Sequence, residues 1–385
     1  MRELRFVVLV AFATAVTVVG MGSASASSGV VGQLYINDNT TGVNTVAGFD
    51  RQADGTLTPI LGSPFAVGGV GTGHGIASQG SLQLSADGRY LLAVDAGSNQ
   101  ISVLRIKPDG SLQTVDGGPV SSNGVNPVSI AVYDNLVYVA NAGPGSSSGD
   151  TNYTGFMLNS GGHLRALPGS TVTLPNDSQP GDVLFNGDGT RLVGTRVASS
   201  QIDSFTVDGD GLLTAASGSP FAAQGLGPFG SEFRPTNPAQ LFVSNAHNGG
   251  VNLGTVSAFA DGADGTLTTI GSSPFADLQN APCWVEISHD GQYLFTVNTA
   301  SSTISRYSIA TDGTLTLLAG STGFNDSPVG PEDARLSPDG STLWVVDAGA
   351  NAVSGFSVNN GTLTELPSSP TAAPAGAKPA GIVVT

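Results

Sequence analysis

A short turn of the form Asp/Asn-Gly-Thr/Ser-Leu-Thr returns seven times along this chain. A period near fifty residues indicates stacked supersecondary units rather than one irregular core. Before most of these turns, apolar residues alternate with small or polar ones, as in ISVLRIK and VSGFSVN, which is typical of strands. The turn glycines recur every 48 to 55 residues, and they are Gly55, Gly110, Gly162, Gly211, Gly265, Gly313 and Gly361.

A second Asp-Gly turn lies upstream in most copies, as in LSADGRYLLAVD and LSPDGSTLWVVD. Asp-Gly suits a tight hairpin because glycine adopts positive φ at no steric cost. Two hairpins in each repeat give four antiparallel strands, and no stretch has a helical pattern of useful length. The sequence therefore predicts an all-β fold, a seven-bladed β-propeller with four strands in each blade.

The two ends of the chain look like complementary parts of one blade. The C-terminal KPAGIVVT has the character of a first strand, whereas GQLYINDN near the N-terminus matches the second strand of other copies. We expect residues 381–384 to pair with residues 32–37, because this closes the ring and removes exposed sheet edges. One propeller domain over residues 27–385 is predicted.

Residues 1–26 have the pattern of a Sec-type signal peptide. Arg2 and Arg5 precede an apolar run that ends near Gly20, and small residues follow up to Ala26. This order predicts cleavage after Ala26 and secretion of a protein that begins at Ser27. The alternative is an uncleaved membrane anchor, although the apolar run is shorter than the roughly 20 residues that a span needs.

The charge balance excludes one class of partner. Acidic residues outnumber basic ones by 29 to 13, which gives a net charge of −16. Nucleic-acid binding depends on Lys and Arg that neutralise phosphates, so nucleic acid is not expected as a partner. We expect a monomer without stable membrane insertion that binds a small molecule.

No cofactor or metal is predicted. The chain has no Cys/His cluster, and its one cysteine, Cys283, is expected to be a small buried residue. Residues 208–211 read Asp-Gly-Asp-Gly, like a fragment of a calcium loop. They coincide with a repeat turn and lack the later ligands, so we interpret them as a structural turn.

Three copies carry a resemblance to a known family: LQLSADGRYLLAVDAGSNQISVLRI, NAPCWVEISHDGQYLFTVNTASSTISRYSI and PEDARLSPDGSTLWVVDAGANAVSGFSV. They resemble the bacterial lactonase family of seven-bladed propellers, which includes 6-phosphogluconolactonase and is similar to fungal carboxymuconate-lactonising enzymes. The phosphogluconolactonase branch carries Pro-Arg-His at the start of a late blade. The matching stretch here reads Pro331-Glu332-Asp333, so the sequence looks closer to the exported, lactonase-like branch.

The repeat also indicates where a site should lie. Both Asp-Gly turns fall on one face of the ring, whereas the longer and more variable connections, such as AVGGVGTGHGIASQGS and AAQGLGPFGSE, share the other. Variable loops on a rigid scaffold are the usual location of binding and catalysis. We call this second side the mouth face and expect the site there, at the opening of the central channel.

Arg196 breaks a pattern at the end of the second strand. The other six copies carry Asn or Asp there, which suit turn capping through side-chain hydrogen bonds. We interpret Arg196 either as a surface arginine or as a group that binds a carboxylate or oxyanion at the mouth. The six regular positions are Asn37, Asp95, Asn141, Asn245, Asn298 and Asp347.

The first strands depart from the repeat at two levels. Glu286 and Arg335 occupy equivalent places in adjacent blades, so we expect them to contact each other near the axis. They form either a structural ion pair or an acid–base group whose pKa is set by its partner. Aligned on the following turn, the earlier level comprises Ser81, Ser129, Asp182, Ser231, Trp284 and Asp333, and the later level comprises Gln83, Ala131, Leu184, Phe233, Glu286 and Arg335.

Two of the four histidines lie on the predicted mouth face. His74 and His247 are in long connections, whereas His163 and His289 lie in turns of the opposite face. Each of the first two is either a solvated loop residue or a proton-transfer group.

Two classes of function remain open at this level. In the first, the protein is an exported enzyme that hydrolyses or forms a lactone on a small polar or carboxylated substrate. In the second, it is a non-catalytic propeller that binds a small ligand, a glycan or a protein, since the fold hosts both. For the enzyme, the candidate catalytic residues are His74, Arg196, Glu286 and Asp333, and the candidate ligand-binding residues are Asp182, Glu232, His247, Trp284 and Arg335.

Overall fold

Seven antiparallel sheets form the ring in a computed structural model that describes residues 29–144 and 150–385. The predicted signal peptide and its cleavage site lie outside these residues. Each blade begins with an inner strand at the central channel. The inner strands of blades 1 to 7 are Gly381–Val384, Leu82–Leu84, Pro127–Tyr133, Pro180–Phe185, Pro228–Arg234, Pro282–Ile287 and Pro331–Leu336.

The second strand of each blade is buried over most of its length, apart from the first residues in blades 1 and 5, because it lies between two strands of its own sheet and between two neighbouring blades. In the same blade order these strands are Val30–Asn37, Tyr90–Asp95, Leu136–Ala142, Arg191–Arg196, Asn237–Asn245, Tyr293–Asn298 and Thr342–Asp347. The third strands are Val43–Gln52, Gln100–Ile106, Thr151–Leu158, Gln201–Val207, Thr255–Asp261, Thr303–Ile309 and Ala352–Asn359.

The outer strand differs from the prediction because it is broken in two. Its first part pairs with the end of the third strand, and a fifth short strand pairs with the beginning. The first parts are Leu57–Pro59, Leu112–Thr114, Leu164–Ala166, Leu213–Ala215, Leu267–Thr269, Leu315–Leu317 and Thr362–Glu365. The second parts are Phe65–Val70, Val120–Ser121, Val172–Thr173, Phe221–Ala222, Phe275–Ala276, Thr322–Gly323 and Thr371–Ala372.

A serine hydroxyl replaces the missing backbone acceptor at this break. The Gly48 N–H of the third strand donates to Ser63 Oγ at 2.9 Å, and Ser204 N–H donates to Ser219 Oγ at 3.0 Å. Both serines precede a proline, which has no N–H and therefore interrupts a strand. The Gly-Ser-Pro-Phe runs thus mark a break in the edge strand.

The turn chemistry is as predicted. All seven repeat glycines have φ between 72° and 88°, which only glycine adopts without strain. Several of these turns also join neighbouring blades: the Tyr35 hydroxyl donates to the Gly110 carbonyl at 2.7 Å, and the Tyr138 hydroxyl donates to the Gly211 carbonyl at 2.8 Å.

The predicted ring closure is confirmed. The first blade takes its inner strand from the C-terminus, with Leu34 opposite Val384 and Asn37 opposite Gly381. Arg51 Nη2 also donates to the Thr385 carbonyl at 2.5 Å. In the described part of the chain, no helix is long and apolar enough to cross a membrane.

Candidate functional site

The pairing register defines two levels on the inner strands of the ring. At the lower level, each residue pairs with the residue three positions before the Asn, Asp or Arg of the pattern described above, which runs from Asn37 in blade 1 to Asp347 in blade 7. These are Val384, Gln83, Ala131, Leu184, Glu232, Glu286 and Arg335 in blades 1 to 7. Two positions earlier, the upper level comprises Ile382, Ser81, Ser129, Asp182, Gly230, Trp284 and Asp333.

Charge is confined to one side of the ring at these two levels. Blades 1 to 3 carry only apolar or neutral polar residues, and we call this side the neutral arc. Blades 4 to 7 carry five charged residues, which we call the charged arc: Asp182, Glu232, Glu286, Asp333 and Arg335.

Glu232, rather than Phe233, stands level with Glu286 and Arg335. The turn-based alignment was wrong by one residue in blade 5 because its first hairpin, RPTNPAQ, lacks the Asp-Gly turn and shifts register between Phe233 and Arg234. Three ionisable side chains thus occupy the same level in adjacent blades.

The predicted contact between Glu286 and Arg335 is confirmed. Arg335 Nη1 lies 3.3 Å from Glu286 Oε2 and 3.7 Å from Asp333 Oδ1. The Leu336 N–H donates to the other oxygen of Glu286 at 3.0 Å. Burial raises the pKa of the Glu286 carboxyl, while the Arg335 charge and this hydrogen bond favour its ionised form.

Glu232 is in a different electrostatic position. Burial and the neighbouring Glu286 charge raise the pKa of Glu232 well above its usual range, although Arg335 acts in the opposite direction. Burial likewise raises the pKa of Asp182 to about 7, against hydrogen bonds from the Ser231 N–H at 2.9 Å and the Ser129 hydroxyl at 3.1 Å. The carboxyls of the arc are therefore in unequal electrostatic environments around one guanidinium.

A segment of the long connection from blade 1 to blade 2 crosses the channel above this arc. Gln79 donates its backbone N–H to the Gly181 carbonyl of blade 4 at 3.0 Å. Its side chain donates to the Ser231 carbonyl and accepts from the Val285 N–H, both at 3.1 Å. The Gly80 N–H points to Asp333 Oδ2 at 3.4 Å. We call Ser78–Gly80 the plug, since it ties the inner strands of blades 4 to 7 together.

Trp284 holds the plug rather than lying open at the mouth. Its indole N–H donates to the Ser78 carbonyl at 2.9 Å, and its ring packs edge-on against Phe229 with centroids 5.3 Å apart. His247 also packs edge-on against Phe229, with ring centroids 6.5 Å apart. His74 is exposed on the connection that leads to the plug. The two histidines are thus outside the charged arc.

Arg196 is held within its own blade. Its guanidinium makes two hydrogen bonds to Asp203, at 2.6 and 2.7 Å, and the Tyr153 hydroxyl donates to the same carboxylate at 3.1 Å. In blades 2 and 7 the equivalent pair is an acid with a hydroxyl, as for Asp95 and Ser102 at 2.5 Å. In blade 4 the first position carries the cation Arg196 and the second carries the acid Asp203. Because Arg196 is paired with Asp203, it is not part of the charged arc.

Two further residues were missed from the sequence. Gln79 lies in a connection that has no repeat to align, so nothing in the sequence indicated its contacts. Glu332 precedes Asp333 at the start of blade 7, and one of its buried oxygens has no hydrogen-bond partner among the described residues. Burial raises the pKa of Glu332 to about 8. The Pro-Glu-Asp run could have indicated it, since two adjacent acids stand at a strand start.

Two cavities border different faces. A cavity of about 250 Å³ opens on the mouth face between the connection to the plug and blades 3 to 5, beside Phe229 and His247. A larger one, of about 510 Å³, lies on the opposite face between blades 2 and 3. It contains none of the predicted site residues. Within residues 29–144 and 150–385, no group of three or more His, Cys, Asp or Glu side chains is arranged to hold a metal ion.

Comparison with known proteins agrees with this architecture. Residues 190–379, about half of the chain, match the family model described as Lactonase, 7-bladed beta-propeller. The match begins in blade 4 and ends just before the closing strand, so it spans most of the blades that carry the charged arc. The molecule is a seven-bladed β-propeller whose residues 190–379 match the lactonase family, which confirms the resemblance seen in the sequence.

Solved structures extend the similarity of fold over most of the chain. A proposed 6-phosphogluconolactonase from Bacteroides uniformis is 20% identical and has a TM-score of 0.71, with 92% of this chain and 99% of that chain covered. The periplasmic gluconolactonase of Pseudomonas aeruginosa is 16% identical with a TM-score of 0.70, at the same coverage of 92% and 99%. Among curated proteins, none matches the chain in sequence.

Proposed function

We propose that the protein is an exported lactonase-type enzyme that hydrolyses, or forms, a lactone on a small polar or carboxylated substrate in the central channel. The contact between Glu286 and Arg335, beside the raised pKa of Glu232, carries this proposal. A hydrolase needs an acid–base group within hydrogen-bond reach of an anion-binding group, and these residues supply both.

In the hydrolytic direction the roles follow from the charges. Glu286, kept ionised by Arg335, accepts a proton from water, and the water oxygen attacks the lactone carbonyl. Arg335 stabilises the oxyanion that forms. The ring C–O bond then breaks, and protonated Glu232 donates a proton to the leaving oxygen. Water and lactone become a hydroxy acid, and solvent returns the proton from Glu286 to Glu232.

The plug supports the second function class. Because Ser78–Gly80 is hydrogen-bonded across the mouth, a substrate enters either by displacing it or from the opposite face. A propeller whose channel stays closed would instead bind its ligand on the mouth face without catalysis. His74 and Arg196 have no role in the proposed reaction, since one is exposed outside the arc and the other is paired with Asp203.

The test is a lactone screen with purified protein comprising residues 27–385. Sugar, acyl and aromatic lactones are assayed with the wild type, with Glu286→Gln and with Glu365→Gln, a matched change on the outer strand of blade 7. We expect Glu286→Gln to lower kcat by about 10²–10⁴-fold and Glu365→Gln to leave it near the wild-type value. Absence of turnover by the wild type, or full activity of Glu286→Gln, would reject the enzyme and favour the binding propeller.

Export is part of the same proposal. It is supported by the signal-like order of residues 1–26 in the sequence. N-terminal sequencing of protein from the culture medium or periplasm should begin at Ser27. Recovery in the membrane fraction with Met1 intact would contradict cleavage.

A further inference from the structure

The cavity of about 250 Å³ on the mouth face is chemically unlike the charged arc beneath the plug. Part of its wall is apolar: Ile76 comes from the connection to the plug, Val128 from blade 3, Val197 from blade 4 and Phe229 from blade 5. All four side chains belong to the buried core, so the walls are fixed by packing. A pre-formed apolar recess of this kind is the usual setting of a small-molecule site.

Three polar side chains border the same cavity. Asn126, Gln179 and His247 contribute one group each from blades 3, 4 and 5. Their backbone groups are hydrogen-bonded, as in the 2.9 Å bond from the His247 N–H to the Leu226 carbonyl. Their side-chain nitrogen and oxygen atoms make no hydrogen bond to the described residues, in contrast to the fully engaged side chain of Gln79. These groups are therefore available to a ligand.

The local backbone fixes one of these groups. A side chain at Gly227, which has φ of 65°, would bring its Cβ within 2.5 Å of the His247 ring. Because residue 227 is glycine, the His247 imidazole can lie against the backbone of Gly227 while it packs on Phe229. The position of His247 beside the cavity is thus built into the fold of blade 5.

The lining also excludes charged ligands. None of the described residues around the cavity is a Lys, Arg, Asp or Glu. A carboxylate or phosphate there would meet no Lys or Arg among the described lining residues, so the loss of its hydration would not be compensated by a permanent charge. Apolar walls with amide and imidazole groups at the rim instead suit a flat apolar body that carries a carbonyl or amide edge.

We propose that this cavity is a binding site for a small uncharged molecule with an apolar ring and a hydrogen-bonding edge, separate from the charged arc. Phe229, Ile76 and Val197 would cover the ring, and Gln179 and His247 would bond the polar edge. The plug, Ser78–Gly80, separates this site from the charged arc. The site does not depend on whether the arc catalyses a reaction.

The experiment uses two probes of nearly equal shape, benzamide and benzoate, which differ in charge. Binding to the protein comprising residues 27–385 is measured by calorimetry and by saturation-transfer NMR. A probe of this size is expected to bind with a Kd on the order of 1 mM. We expect benzamide to bind and benzoate to bind at least about tenfold more weakly, because the cavity offers the carboxylate no cation.

Variants locate the binding. His247→Ala should weaken benzamide binding about fivefold, as expected for one lost hydrogen bond, while His163→Ala, an exposed histidine on the opposite face, should not change it. Ala142→Leu fills the cavity from a half-buried position and should abolish binding. Thermal unfolding confirms that each variant is folded. Equal binding of benzoate, benzamide binding that survives Ala142→Leu, or no saturable binding to the wild type would overturn the proposal.

Discussion

The neutral and charged arcs share one backbone geometry, but they differ in the free energy that burial of their side chains requires. In the neutral arc, the polar groups are uncharged: the Ser81 hydroxyl donates to the Ala380 carbonyl at 2.9 Å, and the Ser129 hydroxyl donates to Asp182 at 3.1 Å. In the charged arc, Asp333 is fully buried. Its carboxylate accepts from the Ala334 N–H at 3.0 Å, lies near two further backbone N–H groups at 3.4 Å, and has Arg335 as its nearby cation. Buried ion pairs are often no more stable than apolar residues of similar volume.

The difference indicates that the ring does not need the charged arc for its fold. Three blades close the same channel without ionisable groups, so the charges in blades 4 to 7 are not dictated by the propeller itself. Local departures that lower stability are concentrated at functional sites in proteins. The comparison therefore supports the proposed chemical role of the charged arc.

The largest expected effect concerns the scaffold. Deleting residues 380–385 removes the closing strand of blade 1, including Ile382 and Val383, which are almost completely buried. Loss of these apolar contacts should lower the free energy of unfolding by about 5 kcal/mol or more, and it exposes a sheet edge. Denaturant unfolding measures this, and deletion of Thr385 alone is the control. A midpoint equal to the wild type would contradict closure as a source of stability.

The next prediction compares the arcs directly. Arg335→Leu leaves the buried carboxylates of Glu286 and Asp333 without their cation, so it should lower the free energy of unfolding by about 3–5 kcal/mol at pH 7. Gln83→Leu changes the same level of blade 2 and should alter it by less than about 1 kcal/mol. Urea unfolding of both variants measures the difference. Equal changes in the free energy of unfolding would show that the charged arc depends on its cation no more than the neutral arc depends on Gln83.

The double variant Arg335→Leu/Glu286→Leu sharpens this result. It removes one of the unpaired carboxylates together with its cation, so part of the stability lost in Arg335→Leu should return. No recovery would mean that Arg335 stabilises the ring through packing rather than through charge.

A smaller effect is expected from pH. The pKa of Asp182 is raised by burial from 3.8 to about 7. Between about pH 4 and pH 7 the folded state therefore keeps a proton that the unfolded state has lost, so stability falls as pH rises through this window. Asp182→Asn should flatten that fall, which denaturant unfolding at a series of pH values measures.

An exposed turn aspartate provides the matched control for the pH experiment. Hydrogen bonds from Thr56 lower the pKa of Asp54, so its contribution is lost only as pH falls below about 4. Asp54→Asn should therefore leave the slope between pH 4 and pH 7 unchanged. An unchanged slope in Asp182→Asn would show that this carboxyl does not hold its proton in the folded state.

Much of the architecture was predictable because the repeat specifies it. Gly55 and Gly361 mark equivalent turns, and the incomplete ends predicted the closing strand. The level of Glu232 was not predictable from turn alignment, because blade 5 replaces Asp-Gly with a longer hairpin. The broken outer strand was missed because the Ser63 hydroxyl, a side-chain group, continues the hydrogen-bond pattern there.

The site was predictable in part. Glu286 and Arg335 were found because equivalent strand positions in adjacent blades must be neighbours. Arg196 stood out in the sequence, and its partner could in principle have been identified there. Asp203 lies seven residues after Arg196, just as Ser102 lies seven residues after its partner Asp95. The plug at Gln79 was not predictable, since its contacts join residues that are distant in the chain and belong to no repeat.

Direct titration of the glutamates tests the central claim that the charged arc holds carboxyls in different protonation states. The chain has only five glutamates, of which Glu3 lies in the predicted signal peptide, so ¹³C NMR of carboxyl-labelled glutamate resolves each one. Glu286→Gln and Glu232→Gln assign the two signals of the arc. We predict that Glu232 titrates well above the usual range near 4.5 and moves downward in Glu286→Gln, because the neighbouring charge is removed. Titration of Glu232 and Glu286 together near 4.5, with no effect of either variant on the other, would contradict the account.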